Sequence, residues 1–544
     1  MSPVTARWLL LLLGPLLLRP ATATTAWVVD PLTRVRPKDA PRSTAEAVLK
    51  AARNESEAFQ IVVRAGSKGV KGGTLEASDL KGDGGRVIER RHVALFREQY
   101  LQIATPSPRS KEGPGIYPDA LIPIGAEPGA KPAEKAPRFI GSPFLIPPDF
   151  NQPFWVEVRV PKDAAPGDYA GSITVSMQDE KPLVVPVTLT VWDFTLPDTP
   201  SLRTNFGGLG RRLLTGHPGY KPDTPPYRAL ERKYAEAMAA HRLCPPVPPY
   251  LRPKEGADGT VDPKESHAAL KEWIEAFHLT GFEIKLIGED PAGKDRERNV
   301  KMLQSTWAYL KENGWEKLAY VWAVDEPNSD KMYEEVRRRA KMIHEAQPGL
   351  KVLCTEQPTP QDASWGTLAG SVDIWVPLWT LFDEKTVAER QKAGEEVWSY
   401  TALCQGKPGG DAPYWEIDFP LLNYRIPAWT SRRYGLTGLL YWTVVYWTAG
   451  DVWANPLTFN RQFNGEGSLF YPGGDAGVEG PVASMRLKAL RDGLEDYEYL
   501  LLAGEAGLEK AARMAPSWGS WETKPWNLAA AREELAQIIL AKKK

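Results

Sequence analysis

The segment YVWAVDEPNSD, residues 320–330, sets two carboxylates side by side after an apolar and aromatic run, and a proline stops it at once. Side chains alternate faces along an extended strand, so Asp325 and Glu326 should point opposite ways while the strand lasts. Pro327 has no N–H to give to a sheet ladder, so pairing is expected to end at Glu326. There the backbone can turn and present both carboxylates to one pocket. Taken alone, the segment fits an active-site pair or the solvated polar end of a buried strand, and its place in the wider fold separates the two.

Between residues 199 and 480 strand-like runs alternate with helical ones, the pattern of a parallel sheet. The candidate strands are LRTNF, CPPVPPY, FEIKLI, LAYVWAVD, KVLCTEQ, VDIWVPLW, EVWSYTAL and GLLYWTVVYW, with helices such as YRALERKYAEAMAAH and MYEEVRRRAKMIHEA between them. Eight strands are the count of a (β/α)8 TIM barrel, typically about 250 residues. CPPVPPY, with four prolines, is the weakest of the eight. An open doubly wound sheet is the alternative, but no Gly-rich phosphate loop follows the first strand. A barrel does its chemistry at the C-terminal ends of its strands. Asp325 and Glu326 end the fourth.

Residues 24–198 read as an all-β sandwich. SEAFQIVVRA, QPFWVEVRVP, GDYAGSITVSM and PLVVPVTLTVWDF are strand-like, and KEGPGIYPDALIPIGAEPGAKPAEKAPR between them reads as a long surface loop. DFTLPDTPSL, rich in proline, reads as a stiff linker. Residues 481–544 are expected to be helical and to pack on the barrel, because Leu487, Leu490, Leu494, Tyr497 and Leu501 form one stripe at steps of three and four. At the start, an Arg, the apolar run from Trp8 to Leu18 and Ala21-Thr22-Ala23 fit a secretory signal peptide over residues 1–23. The expected protein is exported, periplasmic or extracellular, with no membrane span.

Composition narrows the partners. The 67 Lys+Arg balance 68 Asp+Glu, so no basic field for nucleic acid is present. Trp numbers 20, and 13 of these lie between residues 201 and 480, where they serve as core or as flat platforms for sugar faces. Cys244, Cys354 and Cys404 allow at most one disulfide, and neither they nor the six His have metal-ligand spacing. No cofactor or metal is expected, and oligomeric state is left open.

Two neighbouring carboxylates in one pocket raise the cost of ionising each other, so one keeps its proton near neutral pH. Glycoside cleavage uses such an acid at the leaving oxygen, and a conventional retaining enzyme adds a nucleophilic carboxylate about 5 Å away. Glu356, near the end of strand five, is the candidate for that nucleophile. Where the sugar's 2-acetamido oxygen attacks instead, the second carboxylate orients and stabilises the acetamido group.

From VWDFTLPDTPSLRTNFG to RDGLEDYEYL the chain resembles glycoside hydrolase family 123. The marks are VDEP, EVWSYTALC, EIDFPLLNYRIPAW, YGLTGLLYWTVVYW and, most specific, GEGSLFYPGGDAGVEGPVASMRLKALRDGLEDYEYL. The resemblance implies a β-sandwich followed by a barrel and a retaining, substrate-assisted β-N-acetylgalactosaminidase. It implies Glu326 as general acid/base, Asp325 as stabiliser of the oxazolinium-like intermediate, Tyr400 on the acetamido oxygen and Trp442 lining the sugar subsite. Tyr400 and Trp442 also fit as barrel-filling aromatics. Asp418 and Arg425 are candidates for sugar hydroxyls or for a structural ion pair. Trp447 and Trp453 are candidates for platforms or for cover over the rim. CQGKPGGDAPYWEID departs from the family pattern at a loop expected to border the sugar. Two other readings stay open: a retaining glycosidase of other specificity using Glu356, and a carbohydrate-binding protein on an inactive barrel.

Overall fold

Runs rich in Val, Ile and aromatics build two sheets in the first third of the computed structural model, which describes residues 23–125, 136–405, 412–448 and 450–543. The expected leader lies outside these residues except for its last position. Parts of the divergent CQGKPGGDAPYWEID segment and of the Pro/Gly-rich stretch lie outside them too. One sheet has five antiparallel strands in the order Thr25–Val29, Glu55–Arg64, Asn151–Val160, Val93–Ile103, Gly115–Pro123. The other is built around Ala47–Arg53, Glu180–Thr195, Gly167–Met177, Val70–Ala77 and Phe144–Ile146. Inward residues of both, among them Ile61, Phe154, Val156, Ile173 and Leu189, share one core. The result is a sandwich.

One expectation fails here. Part of the segment read as a surface loop is the strand Gly115–Pro123, paired along Val93–Ile103. It is an edge strand, which is where a sheet tolerates residues such as Pro118 and Pro123 that cannot donate.

The second unit is a curled sheet of seven parallel strands. Their order is Arg203–Phe206, Gly438–Tyr441, Glu396–Tyr400, Ile374–Trp375, Lys351–Cys354, Ala319–Trp322, Phe282–Ile284. Seven of the eight expected strands are therefore present, and the eighth, CPPVPPY, is not one. Pro245, Pro246, Pro248 and Pro249 have no N–H, so residues 244–250 cannot close a ladder between the first strand and the third. Residues 244–252 bridge that gap by other bonds. Cys244 N–H donates to Thr204 Oγ1 at 2.8 Å, and Arg252 Nη1 reaches Glu283 O at 2.6 Å. Instead of a closed (β/α)8 barrel the chain forms an open curl. Tyr320, Leu353, Ile374, Trp398, Tyr400 and Leu440 fill its inside. The helices Pro225–Ala240 and Asp330–Ala346 fall where the sequence places them, and His267–Ala276 and Arg296–Glu312 also lie between the strands.

In the helix Met485–Leu502 four residues of the expected stripe, Leu487, Leu490, Leu494 and Tyr497, are buried while Leu501 is exposed, yet every residue from Met485 to Leu500 is buried. A single stripe would leave a wet polar face; here that face meets charges from the sandwich. Arg486 pairs with Asp119 at 3.0 Å, and Lys488 and Arg491 pair with Glu157 at 3.0 and 2.5 Å. Gly493 permits the close crossing on helix Leu422–Tyr434, since a Cβ there would sit 2.9 Å from Arg425 backbone atoms. The helix is a wedge between the two units and fixes the sheet's rim against the sandwich.

Candidate active site

Ladder pairing of Ala319–Trp322 stops well before Pro327. After Trp322 a single bond follows, from Ala323 N–H to Leu353 O at 2.9 Å. Asp325 and Glu326 lie on a bend, and Glu326 takes a left-handed φ of 41° that side-chain-bearing residues rarely adopt. Alternation does not govern a backbone that has left the sheet, and both side chains are exposed at the C-terminal rim. The geometric objection to a working pair is removed, although Pro327 is not what ends the strand.

Thr355, just past the neighbouring strand, ties the two together. Its hydroxyl donates to Asp325 Oδ1 at 2.8 Å, and its oxygen accepts the Glu326 N–H at 2.8 Å. Tyr400, at the end of Glu396–Tyr400, donates to Glu326 Oε1 at 2.5 Å. Burial, together with the Glu326 charge, holds that phenol well above its ordinary range. Glu356 is placed differently. It is 3% exposed, and its Oε1 accepts the Tyr333 hydroxyl at 2.8 Å and the Gln357 amide. Burial pushes it up to about 7, against the Tyr333 hydrogen bond and with the Glu326 charge adding to the rise.

A cleft of about 490 Å³ opens beside the pair, lined among others by Asn205, Glu283, Lys285, Trp322, Asp325 and Trp442. Trp442 is half-buried, with its ring centroid 4.7 Å from Tyr446 and 5.9 Å from Phe459. Its indole N–H donates to Glu466 Oε1 at 2.6 Å. Glu466 and Glu416 are both buried beneath it, and burial and the Glu466 charge push Glu416 well above the carboxylate range.

The remaining candidates sit elsewhere. Arg425 is locked on Asp496 by bonds of 2.6 and 2.8 Å beneath the wedge helix. Asp418, fully buried, accepts the Ser107 N–H at 2.6 Å and its hydroxyl at 2.7 Å, joining loops of the two units. Neither lines the cleft that holds Asp325. Trp447 is 6% exposed, donates to Phe470 O at 2.9 Å and packs on His217 and Tyr234. Trp453 packs between Phe139 and Tyr471. Both are core. The three cysteines are buried and free. Among the described residues no three His, Cys, Asp or Glu side chains are grouped to hold a metal ion, and no helix is long and apolar enough to cross a membrane. Thr355 is the site residue that sequence reading missed; its place beside Glu356 at a strand end was the available signal.

Paired carboxylates at the C-terminal rim of a parallel sheet, open to solvent beside a half-buried tryptophan, are an arrangement suited to a hydrolase of glycosidic bonds. The family is set by two matches. The model described as glycoside hydrolase 123, catalytic domain, matches residues 283–503, and that described as glycoside hydrolase 123 N-terminal domain matches residues 33–177. The chain belongs to glycoside hydrolase family 123. Among solved structures, a family 123 glycoside hydrolase from Clostridium perfringens, described in a study of glycolipid glycan hydrolysis, is 15% identical with a TM-score of 0.67. That match covers 96% of this chain and 97% of the other. A Bacteroides ovatus family 5 xyloglucanase is 9% identical over 83% of this chain and 99% of its own, with a TM-score of 0.29, a likeness too slight to bear on this chain. A search of curated proteins found no match.

Proposed function

We propose that the chain cleaves β-linked N-acetylhexosamine, N-acetylgalactosamine first, by a retaining mechanism in which the sugar's 2-acetamido group is the nucleophile. The acetamido oxygen attacks C1 as the C1–O bond breaks, and Glu326 gives its proton to the leaving oxygen. Asp325 accepts from the acetamido N–H and stabilises the positive charge of the oxazolinium that forms. Water then attacks C1, Glu326 takes its proton, and the acetamido group is restored. Tyr400 orients Glu326, and Trp442 supports the sugar face.

The observation that carries this reading is how the three carboxylates differ. Asp325 and Glu326 are exposed and held together by Thr355. Glu356, the alternative nucleophile, is buried and already accepts from Tyr333 and Gln357. A carboxylate that must attack C1 has to reach the sugar, and Glu356, 3% exposed, does not line the cleft that holds Asp325; substrate assistance asks nothing of it. The reported glycolipid glycans of the Clostridium perfringens relative support a glycoconjugate as substrate. The Arg-led apolar run before Ala21-Thr22-Ala23 supports export to the periplasm or beyond.

Kinetics of Glu326→Gln test the reading. On an alkyl β-N-acetylgalactosaminide, whose leaving oxygen needs the proton, kcat/KM is expected to fall by about 10²–10⁴. A nitrophenyl glycoside, with its better leaving group, should lose less in the glycosylation step. Wild-type protein inert on both, or a variant as active as wild type on the alkyl glycoside, would refute it.

A further inference from the structure

The rim around Trp442 carries cations that the mechanism above does not use. Lys285, just past Phe282–Ile284, is exposed and lines the same cleft as Asp325 and Trp442. Arg212 is exposed, with its guanidinium carbon 5.8 Å from the Trp442 ring centroid and 5.5 Å from that of Tyr446. Arg461, also exposed, ends a run of three left-handed residues, Phe459, Asn460 and Arg461, with φ of 27°, 56° and 57°. Phe459 packs its ring against both Trp442 and Tyr446. Consecutive non-glycine residues in that region are costly and persist where surrounding structure holds them, most often at ligand sites.

Two features make this a built arrangement. The loop bearing Arg212 is pinned to the end of the last parallel strand: Gly208 has φ of 102°, and a Cβ there would lie 1.7 Å from Thr443 Oγ1. The sheet order then sets the strands before Arg212 and Lys285 on either side of the gap left by residues 244–250. Lys285 and Arg212 both flank Trp442, and Arg461 follows two residues after Phe459, whose ring packs on that tryptophan.

Among the described residues none of the three forms an ion pair, whereas other cations of the same unit do, such as Arg203 with Glu396 at 3.4 Å and Arg339 with Glu335 at 2.6 Å. Nor does any ion pair join a Lys or Arg to Asp325, Glu326 or Glu283, so the three are not neutralising the carboxylates by contact. A negative group on the substrate is repelled by Asp325 and Glu326 and is accommodated only away from them. The Trp442 side of the rim is that place. Resting on the function proposed above, we infer that the preferred glycan carries an oxyanion, a sulfate ester or a carboxylate, on the N-acetylhexosamine or a sugar joined to it, bound by Arg212, Lys285 and Arg461.

The test compares kcat/KM of the full chain on a neutral β-N-acetylgalactosaminide, its sulfate ester, and a glycoside whose adjacent sugar carries a carboxylate. At least one anionic substrate should be preferred by about tenfold or more, as charge-assisted hydrogen bonds allow. That preference should shrink as salt rises and collapse toward unity in the triple variant Arg212→Gln, Lys285→Gln, Arg461→Gln. Preference for the sulfate or for the carboxylate identifies the oxyanion. Equal or better turnover of the neutral sugar, or a preference that the triple variant leaves intact, overturns the inference. Should no substrate be turned over, the proposed function fails and calorimetry with Glu326→Gln still decides: tighter binding of an anionic glycan than of the neutral one supports an oxyanion site, and equal binding refutes it.

Discussion

In the helix Met485–Leu502, Arg486, Arg491 and Asp496 are sealed from solvent and each faces an opposite charge, from Asp119, Glu157 and Arg425. At the rim of the curled sheet, Asp325, Glu326, Arg212 and Lys285 are exposed, and among the described residues none of them is in an ion pair. Both regions are rich in charge, but only the first uses it to hold the structure together. A buried ion is tolerable only with a partner, so junction charges come in matched sets that fix sandwich against sheet. Rim charges keep their water and remain available to a ligand. This contrast also sorts the candidate residues: Arg425 and Asp418 belong to the junction, Asp325 and Glu326 to the rim.

Removing one partner of the junction should cost most. Arg486→Met takes from the buried Asp119 its nearest cation and leaves it the Tyr471 hydroxyl and Arg34 at 3.4 Å, and urea unfolding should show a loss of about 3 kcal/mol, with kcat of the remaining folded protein unchanged. At the rim the pattern reverses. Asp325→Asn should leave the unfolding midpoint in place and lower kcat on acetamido substrates by about 10²–10³, the scale of losing one electrostatic stabiliser of the transition state. Were Asp325→Asn to unfold the chain while Arg486→Met left it stable, the assignment of the two regions would be inverted.

Glu356 lies between these cases, buried yet close to Asp325 and Glu326. Its acid is held up to about 7, so the folded chain keeps a proton that the unfolded chain has lost from about pH 4.5 upward. Stability should therefore fall as pH rises through that window, by up to about 3 kcal/mol from this group. In Glu356→Gln, unfolding curves taken from pH 4.5 to 7 should lack this part of the decline. An unchanged slope would mean that Glu356 is ionised throughout. The smallest effect is expected of Thr355→Val, which keeps shape but removes both hydrogen bonds to the pair. It should lower kcat about tenfold, the worth of one or two hydrogen bonds, with less change in KM.

Much of this architecture is legible in the residues because period and composition are local. Val- and aromatic-rich runs mark the sandwich strands, and alternation of strands with helices marks the parallel sheet. Pro245 to Pro249 warned against an eighth strand, for a chemical reason that holds in any fold. Gly115–Pro123 was hidden because proline and glycine also mark loops, and its role as an edge strand depends on a partner supplied elsewhere. The same limit applies at the site. Asp325 and Glu326 could be found from their place at a strand end, but the left-handed turn at Glu326 is held by Thr355, just past the next strand. Arg425 and Asp496 lie far apart in sequence, so nothing local separated a structural pair from a sugar contact.

Whether Asp325 and Glu326 act as a pair on an acetamido sugar is tested most directly by matched aryl glycosides. Initial rates on β-N-acetylgalactosaminide, β-N-acetylglucosaminide and β-galactoside would be compared with and without a thiazoline mimic of the oxazolinium. Turnover restricted to the acetamido sugars, and abolished by the thiazoline, is the expected result. Equal turnover of the galactoside, insensitive to the thiazoline, would contradict it and return the nucleophile's part to a protein carboxylate such as Glu356.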